Sequence, residues 1–403
     1  NTFIDTARLT EMQQVEFYST LSNVMRLTGN FERSYELSKI TLDIAQRIPS
    51  LGSWIPRIQN NLGLVTRFLG NLEQAEAYYR AAMDCVDERT LLSSILNNLS
   101  YVVMLQGDYD NALKYCQRGL EIRKQLKLRR EVGISHSTLG EIYRNQSNYQ
   151  LALTEYDHAL IIFENENDVF WMSQIYVQRG STYRLLGRLE DATNDLSNSL
   201  SYGIPIQAPW AYHSRGNVYA DQKKFEMALA QFELSKQVAR QLKLNQVIGN
   251  NLLMEAEIHY KQWEISGYTS REMFEKTYEN IREFNQTLPE GFLHHRARIQ
   301  RLEADLFFDE QRYAEALPLY KQAYAVLGTR RGGYGTRTFD DELNALKERI
   351  VQRLALQNKD LALSWCRDLR EAWNILPATT QWKKDLVCLC DECEIAIKFP
   401  NQE

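Results

Sequence analysis

The chain has 403 residues, with 47 Lys+Arg against 52 Asp+Glu, a formal net charge of -5 and 44% hydrophobic residues. That balance supplies no whole-chain field to recruit nucleic acid or an anionic membrane surface, so neither is the expected partner. No run of 18 consecutive apolar residues occurs, the N-terminus lacks the order of a signal peptide, and six cysteines over this length fit a reducing compartment, so the expected location is cytoplasmic.

From about residue 15 to 240 one cassette recurs: a small residue, a turn, an Ala, an aromatic or apolar residue and another small residue at fixed offsets. A degenerate first copy reads Ser22, Gly29-Asn30-Phe31, Ser34 and Ser38. The next reads Gly63, Gly70-Asn71-Leu72, Ala75, Tyr79 and Ala82, followed by Ser100, Gly107-Asp108-Tyr109, Ala112, Cys116 and Gly119. Gly140, Ser147-Asn148-Tyr149, Ala152, Tyr156 and Ala159 form the fourth. Gly180, Gly187-Arg188-Leu189, Ala192, Leu196 and Ser199 form the fifth, and Gly216, Lys223-Lys224-Phe225, Ala228, Phe232 and Ser235 the sixth. Within a copy the spacing predicts an amphipathic helix, as Ile58, Leu62, Val65 and Leu69 show. Pro49, Pro56, Pro205 and Pro209 punctuate the units where no helical hydrogen bond is lost. Each unit is a helical hairpin that cannot bury its own apolar face, so stacking on its neighbours is what makes a core.

The pattern is least regular over 245–300. There Asn250-Asn251-Leu252-Leu253, Ala256 and Tyr260 predict a seventh first helix, and Ser270 is placed to cap the helix after it. Ala304, Gln311-Arg312-Tyr313, Ala316, Tyr320 and Ala323 give an eighth hairpin. The reading is therefore an array of about eight hairpins over 1–327, a Gly/Arg loop over 328–337, and a degenerate repeat with a helical cap over 338–403. The chain begins with Asn1 rather than Met, which reads as a piece or processed product of a longer protein.

These cassettes resemble the tetratricopeptide repeat. The resemblance implies an all-α solenoid of helical hairpins wound as a right-handed superhelix, with a C-terminal capping helix. Turns 36 to 41 residues apart, and the doublets Asn60-Asn61 and Asn97-Asn98, resemble the longer repeats of kinesin light chains and of bacterial STAND-type signalling arrays. In that family the concave groove is lined by first-helix positions. Carried onto this sequence, they are Arg26, Arg57, Asn60, Asn61, Arg67, Asn97, Asn98, Tyr101, Arg144, Arg184, Trp210, His213 and Asn217. Arg26, Arg67, Arg144 and Arg184 share one repeat position and would stack into a basic column.

Arginine forks match a carboxylate and asparagine offers both donor and acceptor to a peptide backbone, so the expected ligand is a protein or extended peptide, acidic or presenting its C-terminus. The expected function is the sensor or interaction part of a larger signalling protein, coupled to an effector domain or subunit. A second reading, resembling the quorum-sensing regulators built from such repeats, is a receptor that a short peptide switches. No phosphate loop, zincin motif or nucleophile elbow occurs, so no enzyme activity and no cofactor are expected. The third reading is a zinc or enzymatic protein centred on Cys388, Cys390 and Cys393, with Cys366 as a fourth ligand. Against it stands a continuous helical pattern with no glycine to form a metal knuckle. Trp54, Trp171 and Trp210 sit near the starts of first helices, where either helix packing or a partner anchor accounts for them.

Overall fold

Hairpins are what the cassette builds. A computed structural model describes residues 9–288, 293–327, 339–374 and 381–398, and all regular structure among them is helical. The Gly/Arg loop expected at 328–337 lies outside the described residues.

Two units divide the chain. The first takes in the chain up to Val218 together with Glu233–Val247. Its helices pair as α1 (Glu11–Leu27) with α2 (Phe31–Arg47), α3 (Ile55–Phe68) with α4 (Leu72–Asp84), and α5 (Arg89–Leu105) with α6 (Tyr109–Gln125). The series continues with α7 (Arg129–Asn145) and α8 (Tyr149–Asn165), then α9 (Val169–Leu185) and α10 (Leu189–Ser201). Next come α11 (Ala208–Asp221) and α12 (Phe225–Gln241).

Several of the turns share a recipe. At Gly70 the backbone enters the left-handed region (φ 85°), which glycine adopts without a Cβ penalty. Asn71 then caps α4, its side chain accepting from the Gln74 backbone N–H at 3.0 Å. Asp108 caps α6 and Asp168 caps α9 in the same way, each at 3.2 Å.

The small residues do what their spacing predicts. Gly63 carries the ring of Tyr79 and Gly140 the ring of Tyr156 so closely that an added Cβ would lie 2.7 Å and 2.5 Å from them. Both rings are fully buried. In the fifth copy Leu196 replaces the aromatic, and the contact at Gly180 relaxes to 3.1 Å.

The second unit comprises Tyr219–Phe232, Ile248–Leu288 and the chain from Leu293 onward. It holds most of α13 (Asn245–Ile265), α14 (Arg271–Thr287), and the hairpin α15 (Leu293–Asp309) and α16 (Tyr313–Leu327). Ser270 caps α14 by accepting from the Met273 N–H at 3.4 Å, as the sequence predicts. Beyond α17 (Phe339–Glu348) the helix continues through a π-helical turn, Arg349–Leu354, into α18 (Ala355–Gln357). The last two helices are α19 (Lys359–Asn374) and α20 (Gln381–Lys398). One core joins this end of the chain, with Tyr320, Tyr324, Trp365, Trp373, Cys390 and Cys393 buried together.

A polar network is sunk into the same unit. Asp305 on α15 accepts from Arg301 Nη1 at 2.5 Å and from the Tyr320 hydroxyl at 2.7 Å, and pairs with Arg349 at 3.3 Å. Arg349 also donates to the Tyr260 hydroxyl at 2.8 Å, and Asp309 pairs with Tyr260 and Arg353. Burial pushes the Asp305 carboxyl up, but Arg349 and Arg301 outweigh it and hold its pKa below the ordinary value. With its charges paired internally, this cluster pins α13, α15, α16 and the π turn together.

Candidate functional site

The expected contact residues all fall on first helices: Arg26 on α1, Arg57 to Arg67 on α3, Asn97 to Tyr101 on α5, Arg144 on α7, Arg184 on α9, and Trp210 to Asn217 on α11. Their side chains divide into two groups by what they touch.

The asparagines largely hold one repeat to the next. Asn61 Nδ2 lies 3.1 Å from both Ser22 Oγ and Ser38 Oγ of the preceding hairpin. One repeat on, Asn98 Nδ2 donates to Asn60 Oδ1 at 3.0 Å. Gln178 reaches back to Ser137 (2.8 Å) and to Glu141, and Ser214 meets Ser181 at 2.9 Å. Asn61, Asn98, Gln178 and Ser214 each stand two residues before the cassette's first small residue, at Gly63, Ser100, Gly180 and Gly216. A polar side chain at that position faces the preceding hairpin each time and finds a partner there, though not the same cassette position in every repeat. Thr138 breaks the ladder by bonding its own helix at Ile134 O.

Four further residues of the set, Asn97, His213, Asn217 and Arg57, have partners within the chain. Arg123, which is buried, donates to Asn97 Oδ1 at 3.1 Å. Asn217 Nδ2 meets His213 Nε2 at 3.1 Å, and Arg57 pairs at 3.2 Å with Glu88 on the exposed surface. Of the tryptophans, Trp171 stacks on Phe163 with centroids 5.4 Å apart, Trp54 packs onto the cluster around Val15 and Leu62, and Trp210 is half-buried.

The arginines at the column position behave otherwise. Arg67 lies over the Phe68 ring at 4.4 Å and the Tyr101 ring at 4.9 Å, which fixes its planar head without neutralising it. Arg26 is half-buried. Burial, reinforced by the positive charge of Arg67, holds its pKa below the ordinary value. Both arginines act on Tyr79, whose phenol is pushed up by burial. Arg26 Nε and the Tyr79 hydroxyl are buried polar atoms with no hydrogen-bond partner among the described residues.

No carboxylate among the described residues pairs with Arg26 or Arg67. Some other arginines of this unit have acids beside them: Arg33 with Glu36 at 2.6 Å, Arg80 with Glu76 at 2.7 Å, Arg130 with Asp168 at 2.8 Å, and Arg188 with Asp191 at 2.7 Å. Arg144 stands beside Tyr156 as Arg67 does beside Tyr79.

At the other end of the chain Cys366, Cys390 and Cys393 converge inside the apolar core, while Cys388 is exposed and bonds Glu392 at 3.4 Å. Burial pushes the Cys390 thiol up to about 12.

Comparison with known proteins fits this geometry. Residues 57–86 and 91–160 match models of the tetratricopeptide repeat. These stretches are built of tetratricopeptide repeats. The two matched stretches contain the Gly63–Tyr79 and Gly140–Tyr156 contacts, and the Asn98–Asn60 bond links one to the other. No curated protein matches the sequence.

Among solved structures, a Rap protein complexed with competence and sporulation factor is 13% identical over 86% of this chain and 90% of its own, with a TM-score of 0.59. The human IFIT1 dimer with PPP-AAAA is 13% identical over 96% and 91%, with a TM-score of 0.55. BtubC from P. vanneervenii is 19% identical over 54% of this chain and 91% of its own, with a TM-score of 0.41. The first two share the fold of the tetratricopeptide array. Among the described residues no helix is long and apolar enough to cross a membrane.

Proposed function

We propose that this chain is a protein- or peptide-binding scaffold whose first-helix face takes an acidic segment or a C-terminal carboxylate, and that it passes the capture on to an effector domain or partner subunit. The unneutralised Arg26–Arg67 pair carries the reading. Two like charges held together, with a buried Nε and a buried phenol hydroxyl both lacking partners, form a site that an anion completes. A carboxylate fits the guanidinium fork with two parallel hydrogen bonds. Each charge-assisted bond contributes about 1.5–3 kcal/mol net, whereas micromolar binding needs about 8 kcal/mol. Several repeats must therefore contribute, with Arg144 and Arg184 extending the same column.

Binding of a fluorescein-labelled Asp/Glu-rich peptide with a free C-terminus, followed by anisotropy, tests the reading. Arg26→Ala and Arg67→Ala are each expected to weaken it about tenfold or more, the equivalent of 1.4 kcal/mol or above. Arg33→Ala, which removes an exposed ion pair with Glu36 on the second helix α2, should leave it unchanged. Equal affinity of wild type and the Arg26→Ala/Arg67→Ala double variant removes the proposal.

A specific contact supports the second reading, a regulator switched by a short peptide. The Gly29 turn of the first hairpin lies against the α12–α13 turn, with 3.7 Å from an added Gly29 Cβ to Lys243 Cβ. A ligand that alters this contact between turns remote in sequence would change the spread of the repeats between them. The reading predicts a change in scattering radius on adding the peptide, and a constant radius across peptides that do bind counts against it. The Rap protein that shares the fold is solved with competence and sporulation factor bound, which is in keeping with either reading.

A further inference from the structure

On the α7–α8 hairpin two histidines and a carboxylate converge. His136 projects from α7, while Glu155 and His158 lie three residues apart on α8 and so share one face of that helix. One donor atom from each lies within 4.8 Å of the other two. His136 Nδ1 is 2.6 Å from Glu155 Oε2, and the His136 and His158 rings meet edge to face with centroids 5.3 Å apart. His136 and Glu155 are mostly shielded, at 15% and 19% side-chain exposure, and His158 opens to solvent.

We propose that this trio is a binding site for a zinc-like divalent transition metal. Two imidazoles and a carboxylate suit zinc and its neighbours in the first transition series, whereas magnesium and calcium demand all-oxygen shells. Metal–ligand bonds of about 2.0–2.2 Å in tetrahedral geometry put the donors roughly 3.3–3.6 Å apart. The His136–Glu155 pair therefore opens by under about 1 Å, the imidazole proton moves to Nε2, and the exposed His158 ring swings in to complete the set. Three protein ligands leave one position open, for water or for a donor group of a bound partner. The ion ties α7 to α8 and acts as a staple across this hairpin.

Isothermal titration of the metal-free 403-residue chain with ZnCl2, together with the visible bands of bound Co(II), tests the assignment. One equivalent is expected to bind, with a Co(II) spectrum of low coordination number and no competition from excess Mg(II). His158→Ala sits on the surface and keeps the fold intact by circular dichroism. It should weaken binding more than about 100-fold, beyond the 10–100-fold that loss of an outer-shell partner causes. Glu155→Gln should weaken it as well. Absence of binding overturns the proposal. So does an equivalent of zinc retained undiminished by the His136→Ala/His158→Ala variant, which would assign the metal to exposed thiols such as Cys85 and Cys388.

Discussion

Replacing Gly140 by alanine sets two effects of similar size against each other. An alanine in place of glycine within an exposed helix stabilises by about 1 kcal/mol. At Gly140 the new methyl would lie 2.5, 2.7 and 2.9 Å from three carbons of the Tyr156 ring, which is wholly buried and has nowhere to rotate. Overpacking of that kind costs about 1–3 kcal/mol, and because α7 and α8 must part to accept it the cost falls in the upper part of that range, about 2–3 kcal/mol, for a net loss of about 1–2 kcal/mol. Gly180→Ala meets Leu196 at 3.1 Å and the Ala192 carbonyl at 3.2 Å, a contact that small shifts relieve, so that variant should be near neutral. Urea denaturation followed by circular dichroism measures both, and hydrogen exchange of α7 and α8 peptides places the loss. Adding Tyr156→Leu, the leucine arrangement native to the fifth repeat, should recover part of it, with a coupling within the roughly 0.5–3 kcal/mol seen for touching residues. A Gly140→Ala variant stabilised by about 1 kcal/mol, with no coupling to position 156, would refute the close-approach argument.

Two further perturbations probe buried polar groups. Arg123→Met removes a guanidinium that donates to Asn97 Oδ1 (3.1 Å), Glu131 O (3.0 Å) and Ser135 Oγ (2.7 Å), and should lower stability by about 1–3 kcal/mol, read from the denaturation midpoint. Asp305→Asn breaks the network around Arg301 and Arg349 and should cost about 3–5 kcal/mol at neutral pH. Because the folded pKa of Asp305 lies below its unfolded value, near 3.9, its contribution is complete above about pH 4 and lost as pH falls further. An acid titration of stability should thus be steeper for wild type than for Asp305→Asn below about pH 4, and parallel curves would contradict the low pKa.

The sequence made the hairpins legible because their determinants are local. A turn at Gly70-Asn71-Leu72 and a small residue seven positions earlier specify where two helices cross, whatever lies elsewhere in the chain. Side-chain partners are another matter. Asn60 and Asn98 stand 38 residues apart, and only the stacking of one repeat on the next reveals that they bond each other. Both the groove reading and the bracing reading fit the doublets until that register is known. The His136, Glu155 and His158 set was invisible for the same reason, since no linear metal motif spans two antiparallel helices. One signal was available: His136 falls four residues before Gly140, and Glu155 and His158 flank Tyr156, so the cassette itself places all three at the crossing of α7 and α8.

A repeat array must hold itself together and keep something for a partner, and on the proposed reading the two tasks fall to different positions of one helix. The residue two before the first small position meets the neighbouring first helix, so its polarity is consumed by Asn98 on Asn60 or Ser214 on Ser181. The residue four beyond the small position, Arg26 in the first copy and Arg67 in the second, lies past that contact near the turn, where the next cassette offers it Tyr79 or the ring of Tyr101 but no acid. A ladder position that lost its partner would leave a buried amide unpaired and cost stability. Among the described residues Arg26 and Arg67 have no acid paired with them, so on the proposed reading their charge is available to a ligand without first breaking an ion pair. Variation at the column should therefore change what is bound, and variation at the ladder should change whether the repeats stay stacked.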